Sequence, residues 1–292
     1  MNSAPRAASK DSGAAHVAPR GGPATRKPWI EHVPGSVAGV VVEIGGLTQL
    51  ATQVLWSAVR RPVGYWRAVR DEMYSVLRLS WFPMILAVLT FSLMIGLLGL
   101  NVTNLLGANN RYGQYFFIQN TREFTPWVNS MVVAGIVGAA ICSDLGARKV
   151  REELDALRVL GVDPVRELVL PRIISTTILT PLLMLVSLAV GVVCGLFSAV
   201  TYGGVPSGEY WATVFKNLTT IELVVAVLKS ATIGFMIGIV GAYKGLNAGA
   251  GSIGVGRAVN QAVVIAFALV FLIDLAFNMI TLGLFPELQT VR

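Results

Sequence analysis

Five long apolar segments dominate the pattern of hydrophobic and polar positions along the chain. They lie near residues 81–100, 124–142, 173–202, 223–243 and 258–284. Because a helix of about 20 mainly apolar residues crosses the hydrocarbon core of a bilayer, each segment has roughly the length of a membrane span. The pattern therefore predicts an all-α integral membrane protein with about five transmembrane helices. For the first segment, a re-entrant helix is the alternative to a full crossing.

The residues that precede the first predicted span are too polar to cross a membrane. Residues 36–80 combine an apolar helical face with several Trp and Arg side chains, which is typical of a helix in the headgroup plane. We expect an interfacial helix there, interrupted at Pro62. Residues 1–35 are rich in Ala, Pro, Gly and Ser, which predicts a disordered cytoplasmic tail. A transit peptide is the alternative interpretation of this tail.

A charge-rich segment, residues 144–172, separates the second and third apolar segments. Four apolar side chains recur in it at helical spacing: Val150, Leu154, Leu157 and Leu160. Asp144 is positioned to cap the start of a helix, and Gly161 is positioned to end it. We therefore predict an amphipathic helix over residues 144–161. Its apolar stripe favours contact with another protein, and a solvated loop helix is the simpler alternative.

The composition agrees with a membrane protein and argues against other classes. Charged residues make up 13% of the chain and hydrophobic residues 54%, with a mean hydropathy of +0.66, whereas soluble domains carry about 25% charged residues. The net charge is +7. The basic residues flank apolar segments, so membrane topology explains them and we expect no nucleic-acid partner. Cys142 and Cys194 lie in apolar segments, and we expect buried thiols there rather than a disulfide or metal ligands.

The distribution of basic residues predicts the orientation of the chain in the membrane. Residues 1–80 carry ten Lys and Arg, residues 144–172 carry six, and residues 244–257 carry two. The segments expected on the other side carry four: Arg111, Arg122, Lys216 and Arg292. Basic residues concentrate in cytoplasmic loops, so we predict a cytoplasmic N-terminus, an external C-terminus and a cytoplasmic helix 144–161.

Two charged residues interrupt the uncharged cores of the last two predicted spans. From the rise of an α-helix, Lys229 and Asp274 lie about 13 Å and 15 Å from the outer ends of their helices, so we expect them to meet. An isolated charge at that depth costs about 2.5–3.5 kcal/mol, so each needs a partner or a water-filled cavity. Glu123, before Pro126 at the outer mouth of the second span, is a candidate third member. The group is either a structural ion pair or a polar feature of a transport path.

Several chemical functions lack the residues that they need. The sequence contains no GxxxxGK[ST] phosphate-binding loop, so we do not expect this chain to bind ATP and Mg²⁺ itself. The only histidines, His16 and His32, precede the first span, so we expect no metal site, no cofactor and no histidine-based catalysis in the bundle. Gly249, Gly251 and Gly254 fit GxGxxG, but they follow a membrane helix rather than a strand, and we interpret them as a turn.

Three stretches of the chain carry a family resemblance. They are AGIVGAAICSDLGARKV (134–150), EELDALRVLGVDPVRELVLPR (152–172) and GLNAGAGSIGVGRAVNQAVV (245–264). Together they resemble the signature of the MlaE/YrbE family of lipid ABC-transporter permeases, with similarity over residues 36–285. The acidic pair Glu152-Glu153 and the sequence SDLGAR look like the actinobacterial YrbE type, which works with Mce proteins.

The resemblance implies partners and roles that spacing alone does not. It implies a dimer with a second YrbE permease, two P-loop ATPase subunits that hold ATP and Mg²⁺, and an Mce protein assembly on the outer face. Helix 144–161 would then be the coupling helix. Its contacts with the ATPase would come from Glu152, Glu153, Leu154, Asp155, Leu157 and Arg158. Glu123, Lys229 and Asp274 match charged positions of the family, which implies a place in the transport path.

We therefore expect a permease subunit in the inner membrane of a bacterial cell, with no catalytic residues of its own. Partner ATPases would drive the movement of a hydrophobic lipid, namely a phospholipid, a fatty acid or a sterol. The residues leave the lipid and the direction of transport open. The alternatives are a non-transporting membrane scaffold and a lipid-modifying membrane enzyme. The enzyme would need a cluster of His, Asp or Glu at a membrane face, and the sequence offers none.

Overall fold

The structure, a computed structural model, describes residues 35–60 and 64–285. Within them the chain forms eight helices and no β-strand. The helices are α1 (Gly35–Arg60), α2 (Trp66–Leu105), α3 (Asn109–Val150), α4 (Glu153–Val159), α5 (Val165–Thr201), α6 (Ser207–Asn217), α7 (Thr220–Leu246) and α8 (Gly251–Leu284). The predicted all-α fold is confirmed.

The described part of the chain begins at the start of α1. Residues 35–44 form only its first turns, and the chain from Gly45 onward forms the compact unit that contains every contact described below. Apart from Gly35, the predicted tail of residues 1–35 lies outside the described residues. Pro62, the predicted interruption, also lies outside them.

Five of the helices are long and apolar enough to cross a membrane: α2, α3, α5, α7 and α8. Each contains one of the five predicted apolar segments, so the prediction of a multi-pass membrane protein with five spans is confirmed. Helix α2 is continuous over 40 residues, or about 60 Å, which is roughly twice the thickness of the hydrocarbon core. This length favours a full crossing over a re-entrant helix.

The segment predicted as one interfacial element, residues 36–80, contains two helices. Helix α1 ends at Arg60, and the second half of the segment, from Trp66, forms the first turns of α2. In α1, Leu50 and Val54 are buried in the bundle, whereas Trp56 on another face is exposed. A membrane-surface location for α1 stays a prediction.

Glycines allow α7 to pack closely against α3. A Cβ atom at Gly241 would lie 2.8 Å from the carbonyl oxygen of Gly138, and one at Gly245 would lie 2.8 Å from that of Cys142. Inside a membrane, helices gain little from hydrophobic burial against one another, so close contact between small residues is a main source of their association. Helix α7 also contacts α5 and α8, which places it at the centre of the bundle.

The close approach of α7 to α3 leads to a first prediction. Gly241→Ala should destabilise the protein by about 1–3 kcal/mol, because the added methyl group meets a backbone carbonyl that cannot rotate away. Unfolding by SDS titration in mixed micelles measures the change. Gly256→Ala in α8 is the matched control, since nothing lies within 4 Å of its Cβ position. Equal stabilities for the two variants would contradict the packing described here.

Helix α6 was not predicted from the sequence. It packs against the first turns of α3, where the ring of Tyr210 lies beside that of Tyr112. The hydroxyl of Tyr210 donates a hydrogen bond to the carbonyl oxygen of Val192 in α5 at 2.8 Å. Burial raises the pKa of Tyr210. On another face of α6, the rings of Trp211 and Phe215 stack with their centroids 5.5 Å apart. In the sequence this helix connects α5 to α7, and in space it packs against α3 and α5.

Candidate functional site

A group of buried and half-buried charged and amide side chains lies where α3, α7 and α8 meet. We call it the polar cluster, and its members are Arg122, Glu123, Glu222, Lys229, Asp274 and Asn278. Two members come from each of the three helices. Within the described residues, no group of His, Cys, Asp or Glu is placed to hold a metal ion.

Lys229 is the centre of the polar cluster. Its side chain is only 1% exposed, and its ammonium group donates three hydrogen bonds. The acceptors are Asp274 Oδ1 at 2.8 Å, Asn278 Oδ1 at 2.8 Å and the carbonyl oxygen of Arg122 at 2.7 Å. An ammonium group has three donors, so each of them is satisfied. Because all three donors have acceptors, a lysine is tolerated inside the helix bundle.

The carbonyl oxygen that binds Lys229 is available because of Pro126. In an α-helix the N–H of residue 126 would bind the carbonyl of Arg122, four residues earlier, but proline has no N–H to donate. The chain around Arg122 forms a π-helical turn, Asn120–Phe124, and such turns occur often at functional sites. The local sequence of α3 therefore creates one of the three acceptors for the buried ammonium.

Asn278 joins the two carboxylates of the polar cluster that lie near Lys229. Its Nδ2 donates to Glu123 Oε1 at 2.8 Å and to Asp274 Oδ2 at 3.2 Å, while its Oδ1 accepts from Lys229. Separately, the Arg122 guanidinium pairs with Glu222, with Nη2 2.5 Å from Oε1. Both cations thus have a carboxylate partner, and Glu123 is held by an amide.

The polar cluster faces two cavities. One, of about 160 Å³, is lined in part by Arg122 and Glu222, and the other, of about 680 Å³, is lined in part by Asp274. Both reach Glu123 and Asn278. Glu222 has a side chain only 4% exposed, and its Oε2 has no hydrogen-bond partner among the described residues. The cluster therefore presents polar groups of Glu123 and Asn278 to both cavities, while the unsatisfied oxygen of Glu222 is buried beside them.

The predicted contact between Lys229 and Asp274 is confirmed. The place of Glu123 at the outer mouth of the second span stays a prediction. Helix α3 begins at Asn109, runs on through Pro126 and, at 42 residues, is longer than the hydrocarbon core, so its first residue does not mark the mouth. At the rise of an α-helix, Glu123 lies about 21 Å from the start of α3. Asn278 was missed, although it follows Asp274 by one helical turn on the same face, which is a signal that the sequence contains.

The second candidate region is the charged turn between α3 and α5. The prediction of one helix over residues 144–161 is wrong: α3 continues to Val150, and a separate short helix, α4, covers Glu153–Val159. The two are separated at Glu152, which has a φ of +59°, in the left-handed region that residues other than glycine rarely adopt. Asp144 lies inside α3 and caps nothing. Its carboxylate binds Arg148, one turn along the same helix.

The predicted end of the charged helix is confirmed. Gly161 has a φ of +74° and donates its N–H to the carbonyl of Arg158 at 3.0 Å, while the N–H of Val162 binds the carbonyl of Leu157 at 2.9 Å. This pair of bonds is a Schellman motif, in which glycine takes the left-handed conformation at lowest cost. Helix α4 is therefore a defined element with a fixed end rather than an irregular loop.

The break between α3 and α4 divides the predicted apolar stripe. Leu154 is only 5% exposed and packs within this chain, whereas Leu160 is 76% exposed. Val159 is 88% exposed, and Leu157 is half-buried. The apolar surface of this turn is therefore formed by Val159 and Leu160 rather than by Leu154.

The predicted charged contacts of this turn lie mostly on its surface. Glu152 is exposed, and Asp155 and Arg158 are both exposed and pair with each other, with Arg158 Nη1 2.8 Å from Asp155 Oδ1. Glu153 instead pairs with arginines of its own chain, Arg148 and Arg151. Its hydrogen bond to Arg151 raises the pKa of that guanidinium. Three of these four charged side chains are thus exposed, at positions where they could meet a partner surface.

Comparison with known proteins gives a consistent result. Residues 69–280 match the model of a family described as Permease MlaE. The chain is 36% identical over 157 residues to a probable ABC transporter permease protein of Rickettsia typhi. The aligned residues are 54% of this chain and 61% of that protein. It is 36% identical over 167 residues to a probable ABC transporter permease protein of Synechocystis, covering 57% and 63% of the two chains.

A plant protein is also similar. The chloroplastic protein TRIGALACTOSYLDIACYLGLYCEROL 1 of Arabidopsis thaliana is 31% identical over 173 residues, which is 59% of this chain and 49% of the plant protein. In each of these three comparisons the chain spans less than two thirds of the relative's own length.

Proposed function

Because the chain belongs to the MlaE permease family, we propose that it is the membrane-spanning subunit of an ABC transporter that moves lipids. ATP and Mg²⁺ would bind to partner ATPase subunits. The observation that carries this proposal is α4, a capped helix between two spans with exposed apolar side chains at Val159 and Leu160. A solvated loop helix has no need of such side chains, whereas a docking surface for an ATPase does.

In this proposal α4 is the coupling helix. ATP binding would draw the two ATPases together, and α4 would transmit that movement to α3 and α5, the two spans that flank it in the chain. Glu152, Asp155 and Arg158 would set the register of the contact, because charged side chains around an apolar centre give specificity more than affinity. Nucleotide would thus shift the population of two arrangements of the spans.

The polar cluster is proposed to lie on the transport path. Support comes from its two adjoining cavities, both of which are lined in part by Glu123 and Asn278. Charged residues that face cavities within a membrane bundle mark substrate or ion pathways. The substrate would have an apolar body, as a phospholipid, a fatty acid or a sterol does, with its polar end near Glu123 and Asn278.

Further partners follow from the proposed subtype. The transporter would contain a second YrbE permease subunit, two P-loop ATPases and an Mce protein assembly on the outer face. Support for the subtype comes from the acidic pair Glu152-Glu153 and the SDLGAR sequence. The relatives described above come from a rickettsia, a cyanobacterium and a plant, so the actinobacterial type stays a prediction.

A labelling experiment tests the proposed orientation in a bacterial inner membrane. A single cysteine at Ser207 should react with a membrane-impermeant maleimide added outside intact cells, whereas one at Arg151 or Asn247 should not. All three positions are exposed, and the native Cys142 and Cys194 are buried, so the background should be low. External labelling at position 151 would reverse the orientation and remove α4 from reach of a cytoplasmic ATPase.

Purification of the protein from its native membrane tests the proposed function. A stoichiometric subunit with a P-loop sequence should accompany the tagged chain through two successive affinity and size-exclusion steps. Mass spectrometry of the retained lipids should show one class enriched over the bulk membrane. Recovery of the chain with no ATPase, in a detergent that preserves the fold, would contradict the proposal and favour a scaffold.

A further inference from the structure

A continuous chain of ion pairs leads from α4 into the spans. It begins at Glu153 in the first turn of α4, whose Oε1 lies 2.7 Å from Arg151 Nε. The other oxygen of the same carboxylate, Oε2, lies 3.4 Å from Arg148 Nη1. Arg148 belongs to α3, so Glu153 connects the short helix to the end of the second span.

The chain of ion pairs then crosses from α3 to α5 and α2. Arg148 Nε lies 3.0 Å from Asp144 Oδ2, and the same oxygen accepts a hydrogen bond from Arg172 Nη2 in α5. Arg172 Nε lies 3.6 Å from Glu72 Oε1 in α2. Asp144 and Arg172 thus join three spans to a contact that begins on α4.

The chain of ion pairs is exposed at one end and buried at the other. The side chain of Arg151 is 58% exposed, whereas that of Arg172 is only 11% exposed. Exposed ion pairs contribute little and rearrange easily, while a buried charge depends strongly on its partner. The Nη1 of Arg172 is also buried and has no hydrogen-bond partner among the described residues. The guanidinium therefore has a spare donor with which it can exchange partners.

The junction between α3 and α4 has the features of a hinge. Glu152 is the only residue other than glycine with a positive φ among residues 35–60 and 64–285. Strained backbone of this kind persists where the surrounding structure holds it, and it occurs at switch regions. The ion pairs of Glu153 with Arg148 and Arg151 cross this junction. A movement of α4 about Glu152 would therefore change the pairing of Arg148.

We propose that Asp144 and Arg172 are positioning residues that transmit the position of α4 to α2 and α5. This inference rests on the proposed function, since it assigns the route by which ATP hydrolysis is coupled to lipid movement. When the ATPases move α4, Arg148 would release or tighten its hold on Asp144, and Arg172 would shift between Asp144 and Glu72. The spans would then change their relative positions.

The test measures lipid moved per ATP hydrolysed, in vesicles that contain the purified complex and a fluorescent phospholipid, fatty acid or sterol, whichever the unaltered complex moves. Asp144→Asn keeps the size of the side chain and removes its charge. We expect it to lower this ratio at least tenfold while the ATPase still co-purifies and hydrolyses ATP. Asp144→Glu keeps the charge and should retain most of the ratio. Asp71→Asn, which breaks the exposed Arg70–Asp71 pair on α2, is the matched control and should leave the ratio unchanged.

Two further variants separate coupling from folding. Arg172→Gln should lower the ratio as Asp144→Asn does, and the double variant should be no worse than the poorer single one, because both changes break the same contact. If Arg172→Gln fails to fold, Arg148→Gln decides, since Arg148 is partly exposed and its loss leaves the Asp144–Arg172 pair in place. Arg148→Gln should also lower the ratio.

The outcomes distinguish this inference from the proposed function. An unchanged ratio in Asp144→Asn and Arg148→Gln, in a complex that moves lipid normally, would overturn the route and leave the transporter intact. Loss of the ATPase from the Asp144→Asn complex would also overturn it, since the residue would then act in assembly. If the unaltered complex moved no lipid with ATP, the proposed function itself would fail.

Discussion

Lys229→Met should destabilise the bundle by about 3–5 kcal/mol, the usual cost of removing one partner from a buried ion pair. The substitution keeps much of the volume of the side chain but leaves its three acceptors without a donor. It also changes the charge of the polar cluster. With every group ionised, three carboxylates face two cations, and the loss of Lys229 raises the excess negative charge from one to two. SDS titration in mixed micelles measures the effect.

Neutralising the other partner of the ion pair, Asp274, should destabilise the protein less. Asp274→Asn removes a negative charge, so the polar cluster becomes neutral and Lys229 keeps two of its acceptors. We therefore expect Asp274→Asn to cost clearly less stability than Lys229→Met. The double variant restores the original net charge and should be more stable than the sum of the single effects predicts. Additive effects of the two substitutions would contradict a direct interaction between them.

The same double variant separates structure from transport. If the polar cluster serves lipid movement, the double variant should fold and bind its ATPase, yet move little lipid. Full transport by this variant would reduce Lys229 and Asp274 to a structural ion pair, the other interpretation that the sequence allowed.

Leu160→Arg should weaken binding of the ATPase at least about 30-fold, which corresponds to the loss of an interface hot spot of about 2 kcal/mol. The side chain is 76% exposed in this chain, so the substitution should leave the permease folded. Titration of the purified ATPase against permease in nanodiscs measures the dissociation constant. Leu105→Arg, at the exposed end of α2, is the matched control and should bind the ATPase normally.

Leu154→Arg should behave differently from Leu160→Arg. Leu154 is buried within its own chain, so a charge there should lower the stability of α4 before it affects any partner. A thermal midpoint reduced in Leu154→Arg but unchanged in Leu160→Arg would separate the two roles. Normal ATPase binding by both Leu160→Arg and Val159→Arg would contradict docking through this surface.

The sequence was sufficient to predict contacts that depend on distance along a helix. Lys229 and Asp274 were expected to meet because both helices rise by the same amount per residue from neighbouring ends, and they do. The end of α4 was also predictable, because glycine has a specific advantage in the left-handed conformation that a Schellman motif requires. Both predictions rest on backbone geometry, namely the rise of an α-helix and the conformations open to glycine, which is the same in any fold.

The ends of the other helices depend on contacts that a sequence does not display. Helix α3 continues through Pro126, and Lys229, from another helix, binds the carbonyl of Arg122 that lacks its α-helical donor because of the proline. Helix α3 ends at Val150, and the chain turns at Glu152, a glutamate in the left-handed conformation that its residue type does not predict. Asp144 has the composition of a helix cap, but its carboxylate is used by two arginines, one of them from α5.

The central claim is that this chain moves lipid when a partner hydrolyses ATP. The most direct test reconstitutes the purified complex in vesicles that contain fluorescent phospholipid, fatty acid or sterol, and follows the change in lipid accessibility after ATP is added. We expect one lipid class to move with ATP, and this movement should stop when the P-loop lysine of the ATPase is replaced by alanine. Equal lipid movement with the intact and the inactive ATPase, or none of the three lipids moving with either, would contradict the account.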